Sequence, residues 1–387
     1  MQIHVFSSAG PDAGAVIRSQ ISALGTRPAL VALHGNVESE AGPLLRDLKA
    51  RACPTLRASS CQGAMSDAGP TAGQVAFVIV DPAGSYGAAC RGFDLGAGEA
   101  GRQATIAALA QAARPGEKPD LVWMSSTPGA EEAVLHGVAS VVGTDVPIIG
   151  GSAADNDVGG AWFVGDAASQ CPDGVAVAVL FPSTTVSYAY QNGYAPTGQR
   201  GRVTRASGRL LHEINGRPAA EVYQAWTGGA VAAPAHGTQP ILAEATLWPL
   251  GREITHLGRV PYHLLAHPAA ADASGALHLF ADISEGETLC QMEGSIDGLA
   301  TRAGRVVALA RRAGGFAADQ VAGAFVIYCG GCMMTLGERI GEVTTSIRTD
   351  LGAAPFAGTF TFGEQGPIVG SGNRHGNLMI SCILFGK

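Results

Sequence analysis

The chain lacks any apolar run long enough to span a lipid bilayer, so we expect no membrane partner. Its first residues, from Met1 to Phe6, carry neither the basic segment nor the apolar segment of a secretory signal, and we expect a cytoplasmic protein. Basic charge is also scarce. The formal net charge of the 387 residues is −7, which argues against nucleic acid as the main partner.

The cysteines do not form the paired pattern of a structural zinc site. Only Cys329 and Cys332 have ligand-like spacing, and neither a second Cys-x-x-Cys nor a His pair completes the set. In a cytoplasmic protein these thiols are expected to be reduced. The sequence also has no Gly-x-Ser-x-Gly elbow and no nucleotide-binding glycine loop. We therefore expect a protein that is not an enzyme.

The chain does contain an internal repeat. The stretch from Leu121 to Phe181 and the stretch from Phe325 to Phe385 have the same length and the same order of features. Each opens with a short apolar run, continues through an amphipathic helical pattern, and reaches a Pro-led apolar segment that ends in Gly. A polar, Gly-rich loop then leads to a second apolar run. The repeat predicts two related halves whose matching loops enclose a ligand cleft.

The rest of the sequence alternates between strand and helix patterns. Strands are predicted at 3–6, 29–33 and 75–80, and helices at 13–24, 44–50, 105–113 and 296–311. A further helix, beginning after Cys332, carries an apolar stripe from Met333 to Ile347. We therefore predict an α/β to α+β fold, in which two related halves with mixed central sheets pack in layers with helices, an αββα-like arrangement.

Several short motifs follow one another in a fixed order. They are Ala58-Ser59-Ser60-Cys61-Gln62-Gly63, Ile149-Gly150-Gly151-Ser152-Ala153-Ala154-Asp155, the segment from Val203 to Tyr223, Gly330-Gly331-Cys332, the segment from Phe356 to Pro367, and His375-Gly376-Asn377. Together they resemble the FIST family of sensory domains over nearly the whole chain. Two details depart from the family pattern, namely Gly376 between His375 and Asn377, and Ser59-Ser60-Cys61 where Ser-Thr-Ala is commoner.

The resemblance implies a FIST N-terminal domain at 1–200 and a FIST C-terminal domain at 201–387. It also implies a sensor of bacterial signal transduction that binds a small ligand and acts on a separate signalling protein. One branch of stand-alone bacterial members of similar size binds haem, senses nitric oxide and regulates a partner histidine kinase of a two-component system, so we expect haem as the cofactor. The alternatives are an amino-acid or metabolite sensor without haem and a thiol-dependent enzyme that uses Cys329 or Cys332. The oligomeric state, a homo-oligomer included, is left open.

The candidate ligand-binding residues lie in the matching loops. They are Ser59, Ser60, Cys61, Gly151, Ser152, Asp155, Asn156, Cys329, Gly331, Cys332, Glu364, Gln365, His375 and Asn377. Haem requires an axial ligand in an apolar pocket, and His375 is the first candidate, with His34 as the alternative. Each of these residues also has an ordinary structural explanation, as a turn residue or a partner of the backbone.

Overall fold

A computed structural model describes residues 1–232, 234, 236–257 and 260–387 of the chain. The described residues form four β-sheets, three with six strands and one with nine. Helices cover one face of each six-stranded sheet, so the fold is a layered α/β arrangement with mixed sheets, as predicted. Within the described part of the chain, every helix is too short or too polar to cross a membrane.

The first unit occupies residues 2–80. Its elements are β1 Gln2–Ser8, α1 Ala13–Ala23, β2 Leu30–Gly35, α2 Gly42–Ala50, β3 Thr55–Ser59, β4 Ala64–Ser66, β5 Gly69–Thr71 and β6 Gln74–Val80. Strands β2 and β3 are parallel, and β6 lies antiparallel between β2 and β1. Ile17 and Ile21 are one helical turn apart, as are Leu44 and Leu48, so α1 and α2 each bury one stripe against the sheet.

The second unit, residues 85–181, repeats this arrangement. Its elements are β7 Ser85–Gly92, α3 Ala97–Gln111, β8 Leu121–Ser126, α4 Glu131–Val142, β9 Ile148–Ser152, β10 Val164–Gly165, β11 Gln170–Cys171 and β12 Gly174–Phe181. Strands β8 and β9 are parallel, and β12 lies antiparallel between β8 and β7. Helices α3 and α4 approach closely because Gly137 lets its backbone pass against the carbonyl of Gly98.

After one further strand, β13 Val186–Gln191, the chain forms an inserted domain at 195–293. Its elements are β14 Ala195–Ser207, β15 Leu210–Ile214, β16 Arg217–Pro218, α5 Ala219–Trp226, β17 Thr238–Pro240, α6 Leu242–Ala245, β18 Leu250–Leu257, β19 Val260–Ala266, β20 Pro268–Asp272, β21 Leu277–Leu279 and β22 Thr288–Glu293. These strands make the nine-stranded sheet. Asn215 and Gly216, both with positive φ, form the tight turn between β15 and β16 that their sequence predicts.

The third unit consists of β13 and of residues 296–386. Its later elements are α7 Ile296–Ala313, β23 Val321–Cys329, α8 Gly330–Leu336, α9 Ile340–Leu351, β24 Phe356–Thr361, β25 Glu364–Ile368, β26 Gly372–Gly376 and β27 Ile380–Gly386. Strands β23 and β24 are parallel, and β27 lies antiparallel between β23 and β13. The inserted domain therefore interrupts the third unit between its edge strand and its first helix.

The three units are interlocked, because each one lends a hairpin to a neighbouring sheet. The hairpin β4–β5 extends the third sheet beside β24, β10–β11 extends the first sheet beside β3, and β25–β26 extends the second sheet beside β9. These exchanges close a ring of three sheets. The inner faces of the sheets meet in one apolar core that contains Phe77, Trp123, Phe325 and Phe385.

The predicted repeat is confirmed, because 121–181 and 325–385 build matching strand orders. The structure adds a third copy of this strand and helix order at the N-terminus, in residues 2–80. The parallel strands of this copy carry residues that differ from those of the other two copies. The predicted helix after Cys332 begins earlier, at Gly330, and a short 3₁₀ turn at 337–339 divides it. The boundary predicted between 200 and 201 falls within β14, and that division of the chain into two domains stays a prediction.

Candidate functional site

The carboxyl ends of the three parallel strand pairs meet at one end of the ring. Ser59, Ser152 and Thr361 occupy the same register position in the three units, each opposite the last residue of its parallel partner. The adjoining loops are joined in a cycle by backbone hydrogen bonds from Ala154 to the first unit, from Ser152 to the third, and from Cys61 to the third. In α/β folds this edge is where ligands bind.

In the first two units the predicted polar residues are bonded to the protein itself. Ser60 Oγ accepts the amide of Phe360 at 2.8 Å, and Ser59 Oγ accepts the amide of Phe163 at 2.9 Å. Asp155 is buried, and its carboxylate accepts three backbone amides, those of residues 158, 160 and 161. Asn156 Oδ1 accepts the amide of Gln62. These residues shape the loops, so they offer little to a ligand in this arrangement.

Gly151 also has a packing reason for its identity. A Cβ at Gly151 would lie 2.5 Å from Cγ2 of Thr361 and 2.8 Å from Cγ2 of Ile327. The second sheet therefore approaches the third sheet so closely at this point that only glycine fits.

A buried network joins Ser152 to residues that the sequence did not single out. Ser152 Oγ donates to Oε1 of Glu131 at 2.8 Å, and Gln365 Nε2 lies 3.2 Å from Ser152 Oγ. Arg209 Nη2 donates to Glu131 at 2.7 Å. Burial alone would raise the pKa of Glu131, but the facing His375 and Arg209 more than offset it and hold that pKa below its usual value.

This carboxylate network (Ser152, Glu131, Arg209, Gln365 and His375) brings three of the predicted residues together. Oxygens of Glu131 and Glu132 and a nitrogen of His375 lie within 4.8 Å of one another, as in a metal site. Arg209 donates to both carboxylates, at 2.7 and 2.9 Å, so a guanidinium already supplies the positive charge there. No sequence pattern indicated that Glu131 and Arg209 would meet, because they are 78 residues apart. Glu131 belongs to the second unit and Arg209 to the inserted domain.

The two histidines proposed as haem ligands are both buried. His375 Nε2 donates to the carbonyl of Phe280 at 3.2 Å, and its Nδ1 faces Nε2 of Gln365 at 3.0 Å. His34 packs between Trp123 and Phe325 in the central core, with ring centroids 6.2 and 5.1 Å away. Neither imidazole presents a free nitrogen to an apolar cavity of porphyrin size in the described part of the chain. Neither histidine, as arranged, fits the role of an axial haem ligand.

The third unit differs, because its strand ends face an apolar cavity covered by the inserted domain. Cys329, Gly331, Phe362 and Asn377 line it from the third unit, and Leu242 and His267 line it from the inserted domain. We call this space the ligand cavity. Its narrow inner part has a volume of about 20 Å³, and it adjoins an outer groove of about 450 Å³ that shares Leu242, Gly331 and Met334.

One polar group in the ligand cavity has no partner. Asn377 Oδ1 accepts the amide of His267 at 3.1 Å, which fixes the orientation of the carboxamide. Its Nδ2 is buried and has no hydrogen-bond partner among the described residues. His267 is held by its Nε2, which donates to the carbonyl of Leu242 at 3.0 Å, and burial lowers the pKa of His267 to about 4. Asn377, with its unpartnered donor, and the neutral imidazole of His267 therefore both belong to the cavity wall.

Glycine at position 331 leaves this space open. A Cβ at Gly331 would meet Cys329 Sγ and His267 Cε1 at 3.7 Å, which is ordinary contact distance. A side chain would thus fit without strain, but it would occupy the cavity.

Behind the cavity wall lies a buried cation with a thiol. Arg302 Nη2 donates to Cys332 Sγ at 2.9 Å, its Nη1 donates to the carbonyl of Leu378 at 3.0 Å, and its guanidinium lies over the rings of Tyr194 and Tyr328. Burial would raise the pKa of Cys332, but the hydrogen bond with Cys329 and the charge of Arg302 lower it below that of a free cysteine.

The predicted site residues therefore divide into groups. Cys329, Gly331 and Asn377 line the ligand cavity, with Cys332 directly behind. Buried Glu364 lies beneath, bonded to Thr361 and to the amide of Met379, and burial raises its pKa well above the usual value.

The remaining members lie elsewhere. His375 borders a separate polar groove of about 700 Å³, and Cys61 borders another of about 420 Å³.

Comparison with known proteins identifies the chain. The model of the FIST N domain matches residues 29–217, and the model of the FIST C domain matches residues 219–367. The chain belongs to the FIST family. FIST domains are sensory domains of signal transduction that bind small ligands. In this FIST protein the two matched regions meet at residue 218, within the inserted domain.

Two further similarities were found. An uncharacterised protein of Methanocaldococcus jannaschii is 33% identical over 78 residues, which cover 20% of the FIST chain and 15% of that protein. The crystal structure of a cyanuric acid hydrolase from A. caulinodans aligns over 100% of the FIST chain and 99% of its own, with 12% identity and a TM-score of 0.41.

Proposed function

We propose that this FIST protein senses a small molecule that has an apolar body and a neutral carbonyl or amide oxygen. The oxygen enters the narrow inner part of the ligand cavity, and the apolar body lies in the adjoining outer groove. The observation that carries the proposal is the unpartnered Nδ2 of Asn377, a buried donor held in place by His267 at the end of an apolar cavity. A buried donor without a partner costs about 1–3 kcal/mol. A ligand oxygen that accepts this hydrogen bond recovers that free energy.

The charges around the cavity narrow the class of ligand. Asp157 and Glu244 lie at the outer groove, whereas behind the inner wall the cation of Arg302 is paired with the thiol of Cys332. Carboxylates at the entrance repel an anion. We therefore expect neutral or cationic ligands to bind better than carboxylates of the same shape.

The position of the cavity suggests how binding is transmitted. One wall belongs to the inserted domain and the other to the third unit, and Asn377 links the two walls. Its backbone amide donates to the carbonyl of Leu265, and its side-chain oxygen accepts from the backbone amide of His267. A ligand that contacts both walls stabilises one arrangement of the inserted domain relative to α8. A separate signalling protein would respond to that arrangement.

The test measures the thermal stability of the purified chain against acetamide, propionamide and isobutyramide, with propionate and isobutyrate as matched anions. A bound ligand raises the melting temperature by mass action on the folded state. We expect the neutral amides to stabilise the wild-type protein more than the anions do. Asn377→Leu removes the donor and Gly331→Ala occupies the cavity, so both should abolish the shift.

Gly341→Ala is the matched control, because a Cβ at Gly341 meets nothing within 4 Å and lies outside the cavity. It should respond like the wild type. A shift that persists in both Asn377→Leu and Gly331→Ala would place the ligand elsewhere, and equal shifts from amides and anions would contradict the proposed class.

A more specific version rests on the sequence resemblance alone, and it requires His375 to give up its hydrogen bonds with Gln365 and Phe280. In that version the protein binds haem, senses nitric oxide and regulates a separate histidine kinase. The test is the visible absorption spectrum of haem-reconstituted protein with and without nitric oxide. A Soret band that is lost in His375→Ala and kept in His34→Leu would support His375 as the ligand. The absence of a Soret band would reject the haem version and leave the small-molecule sensor intact.

The thiol-dependent enzyme has one observation in its favour, the cation of Arg302 beside Cys332. A nucleophilic thiol also needs a base, and His375, a candidate for that role, is bonded to Gln365 and Phe280 instead. Cys332 is also fully buried behind a cavity whose inner part has a volume of about 20 Å³, which is too narrow for an organic substrate to reach the thiol. A sensor is therefore the better supported function.

A further inference from the structure

We propose that Cys329 and Cys332 form a redox-active thiol pair that a small hydroperoxide oxidises to a disulfide. Cys329 caps the N-terminus of α8 and Cys332 lies in its first turn, so the two side chains are neighbours on one side of the helix. The two thiols are hydrogen-bonded to each other. Among the described residues one other pair of thiols is adjacent. The sulfurs of Cys90 and Cys171 are 3.5 Å apart.

The charges around the pair make Cys332 the attacking sulfur. The thiolate, not the thiol, reacts with peroxides. The groups that face Cys332 are Arg302 on α7, Tyr194 before β14, Cys329 and Tyr328 on β23, and, farther off, Glu364 on β25. Arg302 is the cation of this set, and its Nη2 lies 2.9 Å from Cys332 Sγ. A thiolate at Cys332 is therefore stabilised by a buried guanidinium.

The ligand cavity provides the access route. Cys329 and Gly331 line its inner part, whose volume of about 20 Å³ admits a molecule slightly larger than water. Cys332 lies directly behind this wall and is fully buried, so the peroxide must pass Gly331 to reach its sulfur. Hydrogen peroxide fits this space, whereas a tripeptide disulfide does not. The outer groove connects this inner part to the surface, because both share Gly331 and Met334.

The reaction balances with one hydroperoxide per pair. The Cys332 thiolate attacks the outer oxygen of the peroxide, the O–O bond breaks, and the leaving alkoxide or hydroxide takes a proton from solvent. This step gives a sulfenic acid at Cys332. Cys329 then attacks the sulfenic sulfur, the S–S bond forms, and water leaves with the thiol proton of Cys329. The two thiols lose two electrons, and the peroxide is reduced to an alcohol or water.

Oxidation has a structural consequence that reaches the ligand cavity. Arg302 is fully buried, and the disulfide removes its anionic partner, the thiolate of Cys332. An uncompensated buried cation is unfavourable, so the surroundings of Arg302 must rearrange. Arg302 also donates to the carbonyl of Leu378, the residue next to Asn377. Oxidation is therefore expected to lower the melting temperature and to change the cavity wall, whether or not a ligand binds there.

The experiment treats the reduced full-length chain with hydrogen peroxide, blocks the remaining thiols, and locates disulfides by peptide mass spectrometry. Cys90 and Cys171 are the internal control, because their sulfurs are also adjacent but burial and the neighbouring Cys171 and Asp166 raise the pKa of Cys90. We expect the 329–332 disulfide to form on the order of tenfold faster than the control disulfide. Oxidised glutathione should leave the 329–332 pair reduced.

Variants test the role of the cation. Arg302→Met should slow formation of the disulfide on the order of tenfold or more, and Arg302→Lys should retain most of the rate. Cys329→Ser should stop at the sulfenic acid, which dimedone traps when the oxidised protein is unfolded in its presence. If Arg302→Met does not fold, the pH profile of the wild-type rate decides, because the inflection should lie well below the pKa of a free cysteine, about 8.5.

Three results would overturn the proposal. In the first, Cys329 and Cys332 stay reduced while the control pair oxidises. In the second, the rate of disulfide formation is unchanged in a folded Arg302→Met variant. In the third, that rate depends on pH as it would for an ordinary cysteine.

Discussion

His34 offers a sharp test of how the central core is built. Its imidazole is 2% exposed and lies against Trp123 and Phe325, and neither ring nitrogen has a hydrogen-bond partner within the described ranges of the chain. Burial lowers the pKa of His34 to about 3, from an ordinary value near 6.5. Replacing it by leucine keeps an apolar side chain of similar size and removes the unpartnered polar atoms.

The magnitude follows from two terms. An unpartnered buried polar group costs about 1–3 kcal/mol, and the lost contact with an aromatic ring offsets roughly 0.5–1.5 kcal/mol of that. His34→Leu should therefore stabilise the protein by about 0.5–1.5 kcal/mol at pH 7. The free energy of unfolding also depends on pH, because His34 ionises. Since the folded pKa is depressed, the unfolded chain binds the proton first as pH falls, and stability is lost between pH 6.5 and 3.

At pH 5 this loss from His34 amounts to about 2 kcal/mol, at roughly 1.36 kcal/mol per pKa unit. The assay is urea unfolding of wild type and His34→Leu at pH 7, 6 and 5. The gap between the two free energies of unfolding should widen by that amount from pH 7 to pH 5. His267, which also becomes harder to protonate on burial, is present in both proteins and cancels.

The exposed His136, replaced by leucine, controls for the removal of one histidine from the surface. Parallel stability curves for wild type and His34→Leu between pH 7 and pH 5 would refute the reasoning, since the imidazole would then ionise equally in the folded and unfolded states.

Three other substitutions probe the packing and the buried charges. Arg209→Met leaves Glu131 buried without its cation and should cost about 2–4 kcal/mol in urea unfolding, a loss that Glu131→Gln in the same chain should partly restore. Trp123→Ala empties the centre of the ring and should cost about 3–5 kcal/mol, measured in the same way, and a cost below 1 kcal/mol would contradict a single shared core. Gly137→Ala should lower the melting temperature and cost about 1–3 kcal/mol although alanine favours helices, because its Cβ meets the backbone carbonyl of Gly98; a neutral result would show that α3 and α4 can separate.

The three units have the same backbone but have diverged at the strand ends. In the third unit the inserted domain covers the edge, and the loops there leave a cavity lined by Asn377 and by Cys329 of the thiol pair. In the second unit the same edge holds the carboxylate network that binds Arg209 of the inserted domain. The inserted domain is thus attached at one edge by charge and encloses the ligand cavity at another.

The local pattern of residues was enough to predict much of this fold. Apolar runs and helical stripes located β6, α1, α2 and α7 to within a few residues, because each of these elements buries one face or is apolar throughout. The repeat was visible in the second and third units since both keep a Pro-led strand that ends in glycine. The motifs that resemble FIST led to the loops at the sheet edge, and the family is confirmed.

Other features depend on residues that are distant in sequence, and only the tertiary structure decided them. The hairpin exchange places Ser60 beside Phe360, which is 300 positions away in the sequence. The salt bridge between Arg209 and Glu131 joins the inserted domain to the second unit. Whether a motif residue lines a cavity or bonds to the backbone is decided by what packs over it, and that is why Asn377 faces a cavity and Asp155 does not. Sequence patterns record which residues prefer burial or a turn, whereas a binding site requires the relative placement of strands, which many weak long-range contacts determine together.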